Sequence, residues 1–266
     1  MSNTSERVPA DAWGDDVIRL ASADNFRDVA GGGYRTAEGR EVQRGVFFRS
    51  NELQLTHEDA AEIARQGIAA IYDLREGWEV EAHPDAEVPG TEWHHVEVTG
   101  IPQGVSTELA DPEAADAAMF DVYRRFVTDP ASRASFGTLL TGLATSTKPQ
   151  IFHCTAGKDR TGWTSALLLR LVGVPEDVVV ADYLLTNDIG VATRKKYLGL
   201  VAEHLGEERV PVFERIMLAD TSYLAAADQA VATSYGDLDS YLREGLGLSE
   251  STLAALAARL LSPVEA

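Results

Sequence analysis

The chain's single cysteine, Cys154, stands in the stretch HCTAGKDRTG, with Arg160 six positions after it. A thiol attacks only as thiolate, and a free one with a pKa of about 8.5 is a few per cent ionised at neutral pH. One helix N-terminus offers an anion about 0.3–1 kcal/mol, which is too little to ionise it alone. The surrounding residues supply more. QIFHC reads as a strand ending at His153 and RTGWTSALLLRLVG after it as a helix starting near Arg160, so the loop between them converges its backbone N–H groups into a nest of phosphate size. Arg160 can fold over that nest and hold two phosphate oxygens while the sulfur lies beneath the phosphorus. Gly157 suits a loop that needs positive φ or close backbone approach.

The spacing therefore predicts displacement at phosphorus, with Cys154 as nucleophile and Arg160 as clamp. His153, Thr155, Ala156, Gly157, Lys158 and Thr161 form the anion-binding loop around them. His153 either anchors the loop or tunes the thiolate; Thr161 either donates to the sulfur or caps the following helix. Two carboxylates compete for the role of general acid: Asp159 inside the loop, and Asp73 at the end of the strand IAAIYD. Lys158 adds a point charge suited to a second phosphate.

HCxxGKDRTG resembles the signature of the cysteine-dependent protein tyrosine phosphatases, in the branch that includes the secreted mycobacterial tyrosine and phosphoinositide phosphatase. DNFRDVAGG (24–32), GVFFRSNEL (45–53), IYDLRE (71–76), VVADYLLTND (179–188) and YLAAADQAVATSYGDLDSYLRE (223–244) resemble that branch in the same order. The resemblance covers most of the chain. It departs between Gly100 and Pro130, where the mycobacterial enzyme carries a longer acidic and helical insertion, so a two-helix cover over the site is not carried across.

The resemblance implies a metal-independent, two-step hydrolysis of phosphotyrosine through a phosphocysteine, extending to phosphoserine, phosphothreonine and phosphoinositides. It favours Asp159 as acid without removing Asp73. The expected partners are a phosphorylated protein or phosphoinositide and inorganic phosphate, with no cofactor and no metal. Two other readings use the same loop: a silent phosphate-binding module, and thiol chemistry of the sulfur-transfer or arsenate-reducing kind. The second suits this chain less, because arsenate relays use further cysteines and sulfur transfer needs no aspartate beside the arginine.

The elements that would carry this loop read as α/β: a central, mostly parallel sheet flanked by helices, with a helical C-terminal third. VIRL, VFFRS, IAAIYDL, TEWHHVEV and QIFHC are the expected strands. Thr56 as N-cap and Gly67 past the end bound one helix. Further helices are expected near 117–127 and 131–146 and throughout the residues after Arg160, while Gly100–Pro112 reads as a surface loop or lid. Other polar and aromatic residues are expected in structural roles: Arg27 and Asp28 brace the loop, Arg75 pairs with a carboxylate, Arg49 is a strand-end surface charge, Tyr183 is core, and Arg194-Lys195-Lys196 is a solvated face. One domain spans 1–266, beginning with a polar arm over 1–14.

Composition sets the outer limits. With 42 acidic and 23 basic residues, the formal charge of −19 repels polyanions, which argues against nucleic acid. One cysteine forms no internal disulfide and no cysteine-rich zinc cluster, and the six histidines show no ligand spacing. No run reaches 18 uninterrupted apolar residues, and the N-terminus has no signal-peptide pattern. These features predict a cytoplasmic protein without a membrane span, with export by a non-classical route left open.

Overall fold

The computed structural model describes residues 18–102 and 104–261; the polar arm falls outside them. Five strands, β1 (Arg27–Asp28), β2 (Phe47–Ser50), β3 (Ala70–Asp73), β4 (Glu92–His95) and β5 (Gln150–His153), form one sheet in the order β1-β2-β5-β3-β4. β1 is antiparallel to β2 and every other pairing is parallel, as expected of the class. β2, β3 and β5 are buried along their whole length. Their side chains alternate between two cores. Phe47, Tyr72 and Phe152 enter the larger one, and Phe48, Ile71 and Ile151 the smaller.

The smaller core is closed by α1 (His57–Arg65). Its N-cap Thr56 accepts from the Asp59 N–H at 3.2 Å, and Gly67 follows its end at φ +67°. A short α2 (Gly77–Ala82) and a single turn α3 (Val105–Glu108) follow β3 and β4. The larger core lies under α4 (Pro112–Thr128), α5 (Pro130–Thr145), α6 (Arg160–Leu171) and α7 (Glu176–Ile189). Asp111 and Asp129 cap α4 and α5, each with proline in the first turn. The chain then runs through α8 (Val191–Leu205), α9 (Val210–Met217), α10 (Thr221–Tyr235), α11 (Leu238–Ser240) and α12 (Glu250–Leu260).

Two expectations are not met. Ile18, Arg19 and Leu20 form no strand, and Leu20 packs into the smaller core instead; the short first strand is Arg27–Asp28. The stretch from Gly100 to Pro112 is a loop interrupted by the helical turn α3, and its Gly100, Ile101 and Ser106 line the cavity of the site together with residues of α4, α8 and α9. Arg49 is no surface charge: it is 0% exposed and ion-paired.

In the parallel register Ser50 and Asp73 both lie opposite His153, so the carboxyl ends of β2, β3 and β5 are level with one another. Cys154 is the next residue. It occupies the crevice beyond the carboxyl ends of the strands, where open α/β sheets bind ligands.

Candidate active site

Frame residues hold the carbonyls of three successive loop residues. Glu52 N–H donates to the Thr155 carbonyl at 3.0 Å, the Asn25 side-chain amide to Ala156 at 2.8 Å, and Arg49 Nη2 to Gly157 at 2.9 Å. In trans peptides each N–H points opposite the preceding carbonyl, so the amides of Ala156, Gly157 and Lys158 turn to the enclosed side. Gly157 adopts φ +66°, and a Cβ there would stand 2.5 Å from the Ser50 carbonyl. Only glycine fits this turn.

The frame is tied together by one carboxylate. Asp182 of α7 pairs with Arg49 at 2.7 Å and with Arg27 at 3.3 Å, all three fully buried or nearly so. Arg27 also donates to the Asn25 side chain, which is how the NFRD segment braces the loop. Burial first, and then the like charge of Arg27, push Arg49 down to about 10.

Cys154 is buried and lines a cavity of about 440 Å³ shared with Thr155, Ala156, Lys158, Asp159 and Arg160. The guanidinium of Arg160 is held by a residue the sequence reading did not single out. Glu79 of α2 accepts from Nη1 at 2.6 Å and Nη2 at 2.9 Å, and also from the Thr155 hydroxyl. Burial pushes the Glu79 carboxyl up, but the charge and hydrogen bonds of Arg160 outweigh it and hold it near 2. The signal was present as a glutamate one helical turn past Arg75, although nothing local says where it points. α2 fixes that direction with a capping box in which Glu76 N–H donates to Glu79 at 2.8 Å.

Asp159 lines the cavity; its Oδ1 accepts from the Tyr123 hydroxyl at 2.8 Å and forms an ion pair with Lys158 at 2.9 Å. Tyr123 in turn shares a 2.7 Å hydrogen bond with Tyr183. Burial, then the Asp159 charge, hold the Tyr123 phenol well above its ordinary pKa, so it remains a donor. Tyr183 is core, as expected, and it also orders the residue that holds Asp159.

Asp73 lies elsewhere. It is 0% exposed, absent from the cavity lining, and accepts four hydrogen bonds from the Arg75 backbone and guanidinium. Lys158 is engaged within the protein. Its ammonium, on the cavity lining, is buried, donates to the Leu218 carbonyl at 3.0 Å, lies over the Tyr223 ring and pairs with Asp159, so it already has three partners.

His153 is 0% exposed. Its Nε2 lies 2.9 Å from Asp85, a close ion pair whose angle is too poor for an aligned hydrogen bond, and 3.8 Å from Asp73. Burial disfavours its cation, but Asp85 and Asp73 together raise its pKa above the ordinary value. Thr161 is fully buried; its hydroxyl has no partner among the described residues and forms no capping bond to α6.

Asp73, Asp85 and His153 also place three potential ligand atoms within 4.8 Å of one another. Arg75 already donates to both carboxylates, at 2.7 and 2.8 Å, so their charge is matched without an ion. No described helix is long and apolar enough to cross a membrane.

The sequence model described as the tyrosine phosphatase family matches residues 18–262. The triple specificity protein phosphatase PtpB of Mycobacterium tuberculosis is 33% identical over 281 residues, covering 92% of this chain and 99% of that protein. A tyrosine-protein phosphatase of Nostoc commune is 26% identical, covering 82% and 75% respectively.

Proposed function

Since the chain belongs to the tyrosine phosphatase family, in the branch of PtpB, and is a phosphoric monoester hydrolase, we propose that it cleaves phosphotyrosine, and by the same route phosphoserine and phosphothreonine, through a phosphocysteine on Cys154. The observation that carries the reading is the convergence of thiol, guanidinium and carboxyl on one cavity through Cys154, Arg160 and Asp159.

In the first step the Cys154 thiolate attacks phosphorus. The S–P bond forms as the bond to the leaving oxygen breaks, and protonated Asp159 gives its proton to that oxygen. In the second step water attacks the phosphocysteine, Asp159 takes a proton from the water, and the S–P bond breaks to return thiolate and phosphate. Arg160 and the inward amides of the loop stabilise the equatorial oxygens throughout. Glu79 acts on Arg160 as a positioning residue. Asp73 serves as a strut for Arg75 instead of supplying the proton, and Thr161 has a rotatable hydroxyl free to turn toward the ionised sulfur. With Lys158 already bound by three partners, phosphoinositides are the less favoured substrates in this reading.

The test is rapid-quench hydrolysis of a phosphotyrosine peptide by the wild type and Cys154→Ser. The expected result is a phosphoenzyme trapped on Cys154 in the wild type and loss of turnover in the variant. Turnover by Cys154→Ser within tenfold of wild type overturns the mechanism and leaves the silent binding module or other thiol chemistry to be considered.

A further inference from the structure

The cavity extends well beyond the space a phosphate needs, and what lines the extension is apolar. α8 is fifteen residues long, yet Thr193 alone among its side chains is buried. Its leucines face the cavity: Leu200 is 37% and Leu205 39% exposed, and Trp78 on α2 across the mouth is 43% exposed. Among the described residues five large apolar side chains are exposed in this way, and these three border one opening. Met119 of α4 and Phe213 and Ile216 of α9 belong to the same lining as Cys154. Exposed apolar groups gathered at one concave mouth mark a binding surface, whereas scattered ones need no explanation.

Charge narrows what can bind there. The basic groups at the floor are Lys158 and Arg160, engaged by Asp159 and Glu79, and Glu76 adds a further carboxylate to the lining. His204 at the mouth is the remaining basic side chain. One phosphate is served by the loop amides and Arg160; a second would meet carboxylates.

We propose that the substrate is an amphiphilic phosphomonoester, with one phosphate carried on a single extended apolar chain that lies between α2, α4, α8 and α9. The inference rests on the phosphatase reading and specifies its substrate class. The apolar chain leaves water along the channel while the phosphate sits in the loop, so chain length sets affinity. A fully buried methylene is worth about a fourfold gain in binding, which is the ceiling for each added carbon.

The experiment uses 4-methyl-, 4-butyl- and 4-octylphenyl phosphate below their micellar concentrations. Alkyl length scarcely changes the acidity of the phenol, so leaving-group ability is constant across the series. The expected outcome is a rise in kcat/KM of at least tenfold from methyl to butyl, a further rise to octyl, and a fall in KM along the series. The octyl-to-methyl ratio should drop at least fivefold in Trp78→Ala and in Leu205→Asp. Cys154→Ser should bind the octyl compound more tightly than the methyl by calorimetry, a readout independent of turnover.

A flat series in an enzyme that hydrolyses the methyl compound overturns this inference alone; no hydrolysis of any member overturns the phosphatase reading with it. Faster turnover of an inositol polyphosphate, or of a phosphotyrosine peptide flanked by leucines, than of 4-octylphenyl phosphate also overturns it.

Discussion

Glu79 receives both terminal nitrogens of Arg160, at 2.6 and 2.9 Å, from a helix 81 positions earlier in the chain. A guanidinium held along one edge presents the remaining edge in fixed orientation, and orientation is most of what phosphoryl transfer asks of its arginine. Glu79→Gln keeps the size of the side chain and removes the charge. It should lower kcat/KM on an aryl phosphate by roughly 10- to 100-fold, with Arg160→Lys at least as damaging because an ammonium cannot replace the fork.

The same pair carries a pH dependence. The Glu79 carboxyl falls from 4.5 to about 2 on folding. A depressed carboxyl contributes stability that is complete above pH 4.5 and is lost as pH falls toward 2, on the order of 3 kcal/mol in all. Chemical denaturation at pH 6 and pH 3 should show wild type losing more stability than Glu79→Gln over that interval. Equal losses would mean that the pair contributes nothing to folding.

Asp159 and Asp73 should separate cleanly by assay. Asp159→Asn should cost about 100- to 10,000-fold on phenyl phosphates with poor leaving groups and much less on those with good ones, the mark of a lost proton donor. Tyr123→Phe removes the hydroxyl that orients Asp159 and should show the same leaving-group dependence at smaller amplitude. Asp73→Asn instead strips a buried guanidinium of its main acceptor. Its effect should be a lower Tm, with turnover per folded molecule largely kept. The opposite pattern would reverse the two roles.

The Lys158 ammonium, bound by Asp159, the Leu218 carbonyl and the Tyr223 face, supports the loop from inside. Lys158→Met should therefore lower activity on phosphotyrosine and on phosphoinositides by the same factor and reduce Tm. A selective loss on phosphoinositides would restore the second-phosphate role.

These residues show which parts of the site were legible in the sequence. The loop was, because its chemistry lies within ten contiguous residues and Cys-x5-Arg geometry is local. The sheet was, because β2, β3 and β5 are short apolar runs bounded by turn signals. Glu79, Tyr123 and Asp182 were not, since each reaches the loop from a different helix and no spacing rule links residues across tertiary contacts. Arg49 was misplaced by a sound default: charges at strand ends usually meet water. Here the ends of three buried parallel strands converge beneath the loop, and Asp182 supplies the counter-charge. α8 was legible only as part of a helical C-terminal third, and helix propensity does not say whether its leucines meet a core or a cavity.

Asp182 offers the sharpest test of that buried frame. It is the carboxylate partner of both Arg27 and Arg49, and Arg49 in turn holds the Gly157 carbonyl. Removing one member of a buried ionic cluster leaves the others desolvated and uncompensated, which costs about 3–5 kcal/mol. Asp182→Asn keeps the shape and one acceptor oxygen, so it should fold with a clearly reduced Tm. Because Arg49 then loses its main anchor, the Gly157 carbonyl is released and the amides behind it lose their common direction. Affinity for inorganic phosphate, measured by calorimetry well below the Tm, should fall at least tenfold. A destabilised variant that binds phosphate as tightly as wild type would show that the loop holds its shape without the Arg49–Asp182 pair.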